Sequence, residues 1–121
     1  MSPERARVFV IEDGEDYRST VEEYLEAKGH TVVLVAETMK EAVEKIESLD
    51  SKDVDVVVLD GNLSPGKYKG EEGAFLAELI KDKHPDIKII GASLRDDIPG
   101  VDVNSTKIRG LVELEKTVTD L

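Results

Sequence analysis

Short apolar runs alternate along this chain with longer stretches whose apolar residues recur at helical spacing. Val8-Phe9-Val10-Ile11 is the first run, closed by Glu12-Asp13, and Val54 to Leu59, interrupted only by Asp55, is closed by Asp60. Runs of this length and β-branched content read as strands, and their near-continuous hydrophobicity marks a parallel sheet with helices on both faces. His30 to Val35, Ile87 to Ile90 and the short Val101 to Val103 supply three more strands. Between them, Tyr17, Val21, Tyr24 and Leu25 fall at i, i+4, i+7 and i+8, one face of a helix that Gly29 can stop. Thr38 and Glu41 have capping-box spacing ahead of Ala42, Val43, Ile46 and Leu49. Phe75, Leu76, Leu79, Ile80 and Lys83 share a side of a third helix ended by His84-Pro85, and Leu111, Leu114, Val118 and Leu121 mark a last one. On this reading Phe75 belongs to the core, His84 caps the third helix where a histidine favours the dipole, and His30 lies at the surface where its strand starts.

The alternation predicts an α/β fold: a doubly wound, five-stranded parallel sheet of order 2-1-3-4-5. Only 13 residues separate Ser93 from Lys107, and they include Pro99, Gly100 and the fifth strand. A full helix between strands four and five hardly fits there, so that helix is expected to be missing or reduced to one turn. No internal repeat or linker interrupts the pattern, and residues 1–121 are expected to form a single domain.

Composition narrows the partners. With 27 acidic against 16 basic residues the formal net charge is -11, which disfavours direct contact with nucleic acid or an anionic membrane. The chain has no cysteine, and no apolar stretch reaches the ~20 residues of a membrane span. A cytoplasmic protein is the expectation.

Strands one and three lie side by side in this order, with their carboxyl ends at the switch point where such sheets bind ligands. Glu12, Asp13 and Asp60 are therefore expected to converge. Three carboxylates in one place repel one another unless a cation offsets them, and Mg2+, which takes one or two carboxylates, a carbonyl and several waters, suits the set. Beside a metal a carboxylate can attack phosphorus and form an acyl phosphate. Ser93 and Lys107, at the ends of strands four and five, would bring a hydroxyl and a cation to the same edge. Taken singly, Asp13 is as well read as a helix N-cap and Asp60 as a turn cap.

In these residues, and over essentially its whole length, the chain resembles the flavodoxin-like receiver domain of bacterial response regulators. The resemblance implies that Asp60 is the phosphoacceptor, Glu12 and Asp13 the magnesium-binding acidic pair, Ser93 the switch hydroxyl and Lys107 the phosphate-binding lysine. It also implies that Asn62 offers its backbone carbonyl to the metal. A histidine kinase or histidine phosphotransfer protein would donate the phosphoryl group, and a further, unknown protein would receive the signal. Such a domain catalyses only its own phosphorylation and dephosphorylation, and since the family's usual dimer face needs surface from helix four, the resemblance implies a monomer here. Ile108 stands where the family usually has a proline, Asn104 where a switching aromatic usually sits, and the loop after Asp60 is longer than usual. Against the stand-alone phosphoryl-accepting receiver stands an interaction module on the same scaffold that acts independently of phosphorylation. A haloacid-dehalogenase-like phosphohydrolase is disfavoured, because the general acid it needs two residues after the nucleophile is here Asn62.

Overall fold

The computed structural model describes residues 6–50, 53–59, 71–92, 100–104 and 116–118, with the backbone alone at 71 and 72. In chain order the elements are β1 (Arg7–Ile11), α1 (Glu15–Ala27), β2 (Thr31–Ala36), α2 (Met39–Ser48), β3 (Val56–Leu59), α3 (Glu71–Lys83), β4 (Lys88–Gly91) and β5 (Val103–Asn104). The five strands are parallel and ordered β2-β1-β3-β4-β5, as expected. Residues 116–118 are helical, while the rest of the expected last helix lies outside the described residues. So do residues 93–99, on which the expected loss of the helix between β4 and β5 rests; Ala92 and residues 100–102 around them are not helical.

Alternation along each strand divides the core into two layers. Phe9 and Ile11 of β1, Val57 and Leu59 of β3 and Ile89 of β4 pack with Ala42 and Ile46 of α2 and Leu76, Ala77 and Ile80 of α3. Val8, Val10, Val56, Val58 and Ile90 turn to the opposite face, against Val21 and Leu25 of α1 and Val118. Helix boundaries follow local chemistry. Gly29 takes φ +96 after α1, in the left-handed region that glycine enters without a Cβ penalty. Thr38 caps α2 by accepting the Glu41 N–H at 3.1 Å.

Three side chains depart from the sequence reading. Phe75, expected in the core, is 52% exposed. The buried side of α3 is instead Gly73, Leu76, Ala77 and Ile80, continued by His84, and Phe75 lies off that stripe. His84, expected to cap α3, is buried, and its Nε2–H reaches across to the Ile46 carbonyl of α2 at 3.0 Å. His30, expected on the surface, is buried and its Nδ1 accepts the Ala6 N–H at 2.9 Å.

The tripeptide Val-Asp-Val occurs twice, at 54–56 and 101–103, and does the same thing each time. The Asp55 N–H donates to the Arg7 carbonyl while its carboxylate accepts the Arg7 N–H, both at 2.9 Å. The Asp102 N–H donates to the Ile89 carbonyl at 3.0 Å and its carboxylate accepts the Ile89 N–H at 2.7 Å. Each aspartate thus adds a side-chain rung ahead of its strand, and each meets a cation: Arg7 at 3.2 Å from Asp55 and Lys81 at 2.7 Å from Asp102. Burial alone would raise both carboxyls. The hydrogen bonds from Arg7 to Asp55, and from Lys81 and the Ile89 N–H to Asp102, outweigh it and hold both below the usual carboxylate range. Because the folded values lie under the unfolded one, the stability these groups add is present above the ordinary carboxylate pKa of about 4 and is lost as pH falls through the lowered folded values. Thermal unfolding followed between neutral pH and pH about 3 is expected to show a shallower acid decline for Asp55→Asn and Asp102→Asn than for the unsubstituted chain. Declines of equal slope would remove both carboxylates from the acid response.

At one margin of the sheet β2 offers an edge of six residues. Pairing of β2 with β1 steps from Val8↔Val32 to Phe9↔Leu34, leaving Val33 out of register and 39% exposed. Lys45 of α2 reaches back to donate to the Val35 carbonyl of β2.

Candidate functional site

The carboxyl ends of all five strands finish in step, Ala36 of β2 pairing with Ile11 of β1. Ile11 of β1 pairs with Leu59 of β3, Leu59 with Gly91 of β4, and Gly91 with Asn104 of β5. Beyond this rung the Glu12 N–H bonds the Ala36 carbonyl at 3.0 Å, and the Ala92 N–H bonds the Leu59 carbonyl at 2.8 Å. Glu12 therefore leaves the sheet beside Leu59, the residue that Asp60 follows in the sequence.

Glu12 and Asp13, adjacent in sequence, are placed oppositely. Glu12 is 3% exposed, and its Oε2 accepts the Gly14 N–H at 2.9 Å. Asp13 is exposed, and among the described residues nothing bonds its carboxylate. The N-cap of α1 is Gly14, which offers no side-chain bond, so Asp13 is not the cap. A Cβ at position 14 would meet Glu12 Oε2 at 3.1 Å, so the glycine leaves the Glu12 carboxylate its room.

Asp60, Asn62, Ser93 and Lys107 lie outside the described residues, as do Ile108 and the long loop after Asp60. Of the six site residues expected from sequence, Glu12 and Asp13 are thus the two whose places are described. No group of three or more metal-ligating side chains forms among the described residues, which hold only this pair of the three expected acids. The pair fits a hard divalent cation in donor chemistry: one carboxylate free toward solvent and a second fixed one residue away. Asn104, half-buried in β5, ends the strand on the side of Gly91.

Arg18 was not anticipated. It stands three residues before Val21 and seven before Leu25, on the buried stripe of α1. Its Nη1–H donates to the Glu12 main-chain carbonyl at 3.1 Å, and its Nη2 lies 2.6 Å from the Glu37 carboxylate after β2. An arginine in register with an apolar stripe is the signal that would have found it, since a buried charge needs built-in partners.

Comparison with known proteins follows the same lines. The family model of the response regulator receiver domain matches residues 8–112. The response regulator TrrA from Thermotoga maritima, solved in complex with Mg2+–BeF, is 25% identical over 99% of this chain and 98% of its own, with a TM-score of 0.76. A response regulator receiver domain protein from Clostridium thermocellum is similar at 20% identity, 95% and 92% coverage and a TM-score of 0.78. A CheY-like receiver domain protein from Methanospirillum hungatei matches at 22% identity, 94% and 93% coverage and a TM-score of 0.71. No curated protein matches the chain.

Proposed function

Because the chain belongs to the response regulator receiver domain family, we propose that it accepts a phosphoryl group on Asp60 from a histidine kinase or a histidine phosphotransfer protein and signals through a protein partner. The observation that supports this most is the in-step rung of Ile11, Leu59 and Gly91, which sets Glu12 and Asp13 beside the strand end that Asp60 follows. An ionised Asp60 oxygen attacks phosphorus in line; the P–O bond forms as the P–N bond to the donor imidazole breaks, and the imidazole nitrogen keeps the bonding pair. Mg2+, when bound, supplies charge neutralisation to the phosphoryl oxygens. Asp13, with Asp60 and the Asn62 carbonyl, would hold it, and Glu12 would add a second, fixed carboxylate to the field. Lys107 pairs with a phosphoryl oxygen and Ser93 donates its hydroxyl to another.

The phosphorylated side chain brings nearly two additional charges and strong acceptors, which draw Ser93 and Lys107 toward it and favour one of two loop arrangements. Residues 1–121 act as one receiver unit in this reading, with chemistry confined to its own phosphorylation and dephosphorylation. The half-buried Asn104, in place of a switching aromatic, favours the second reading, a module whose contacts do not depend on phosphorylation.

Incubation with acetyl phosphate and magnesium, read by intact mass, tests the first reading. One hydroxylamine-labile phosphoryl group per chain is expected. No gain in mass would sink it and leave the phosphorylation-independent module.

A further inference from the structure

Resting on that reading, we propose that Arg18 is a positioning residue for the magnesium site, orienting the peptide that carries Asp13. Glu12 is fixed at three points: its N–H by the Ala36 carbonyl, its carboxylate by the Gly14 N–H and its carbonyl by Arg18. The bond from Arg18 reaches its carbonyl by way of a side chain. The Glu12 carbonyl and the Asp13 N–H belong to one planar peptide unit, so holding the first sets the orientation from which Asp13 departs. Asp13 itself is exposed and without a bond among the described residues, so its carboxylate takes its aim from that peptide.

The guanidinium suits this task. Its side chain is 10% exposed, and it spans two different strand ends, Glu12 after β1 and Glu37 after β2. A planar fork can meet a carbonyl with one nitrogen and a carboxylate with the other, whereas a lysine ammonium concentrates its donors on one atom. Glu37 balances the charge, so the cation is held by the turn after β2 and need not reach toward the acids it orients.

Arg18→Lys therefore separates geometry from charge. Calorimetric titration is expected to show magnesium affinity lowered roughly tenfold, the lower end of what loss of a ligand-orienting contact costs. Glu37→Gln, at a residue 54% exposed, is expected to lower it less and in the same direction, and the double variant to fall short of the product of the two effects. In the metal-free protein the Asp13 and Gly14 amide resonances of Arg18→Lys should move or broaden, a readout independent of bound metal. Affinities within about twofold of the unsubstituted chain in both single variants, or tighter binding in Arg18→Lys, would overturn the proposal. Should Arg18→Lys fail to fold, Glu37→Gln decides by the same criterion. Absence of magnesium binding in the unsubstituted chain would overturn the receiver site itself, an outcome distinct from normal binding in the variants.

Discussion

Asp60→Asn is expected to take up no phosphoryl group from acetyl phosphate and magnesium under conditions that label the unsubstituted chain. The substitution is nearly isosteric and leaves β3 its buried residues Val56 to Leu59, so folding should be retained. It replaces an anionic oxygen nucleophile with an amide, which attacks phosphorus poorly, and it removes one of three acids that raise the local affinity for a cation. The loss should be complete, because the neighbouring carboxylates make poor substitutes. Glu12 is buried with Oε2 held by the Gly14 N–H. Asp13 is exposed and is the one acid of the pair placed to catch a stray phosphoryl group. Asp13→Asn is the matching control. Label that survives in Asp60→Asn and disappears in Asp13→Asn would move the acceptor to the end of β1.

Phe9→Ala is the other substitution with a large expected effect, this time on stability. Phe9 is fully buried in β1, in the layer that joins the sheet to α2 and α3. Truncating a buried phenylalanine costs about 3–5 kcal/mol, because the cavity it leaves closes only in part. Against a total of about 5–15 kcal/mol for an ordinary domain, that is a large share. A fall in the unfolding midpoint of roughly 10–20 °C is expected for a chain of this size, measured by thermal denaturation. Val33→Ala, at the exposed residue skipped in the β2 register, should stay within about 0.5 kcal/mol. A small loss at Phe9 would mean that the layer repacks around β1, and with it that the placement of Glu12 tolerates slack.

The architecture was legible because its signals are local. Apolar runs of strand length, a glycine at the end of α1 and the Thr38-to-Glu41 spacing each act within a few residues, and each appears where it was expected. Strand boundaries shifted by a residue or two where edges are set by pairing: β3 starts at Val56 because Asp55 is occupied with Arg7. What escaped depends on partners far along the chain. His30 accepts the N–H of a residue 24 positions away and His84 bonds a carbonyl 38 away, distances over which neither periodicity nor composition carries information. Phe75 was misplaced because two overlapping apolar stripes run along α3, and only packing decides which faces the sheet. At the site, the acids stood out at the strand ends, whereas Arg18 did not, because its partners come from two different turns.

The skipped Val33 and the lysine lying on the Val35 carbonyl bear on how this protein meets others. A six-residue parallel edge is a template onto which a foreign strand could zip, and both features spoil it, one by breaking the spacing of the donors and acceptors and the other by occupying an acceptor. Growth of the sheet beyond one molecule is thereby discouraged at the β2 border, where a guest strand would meet a broken ladder and an acceptor already taken.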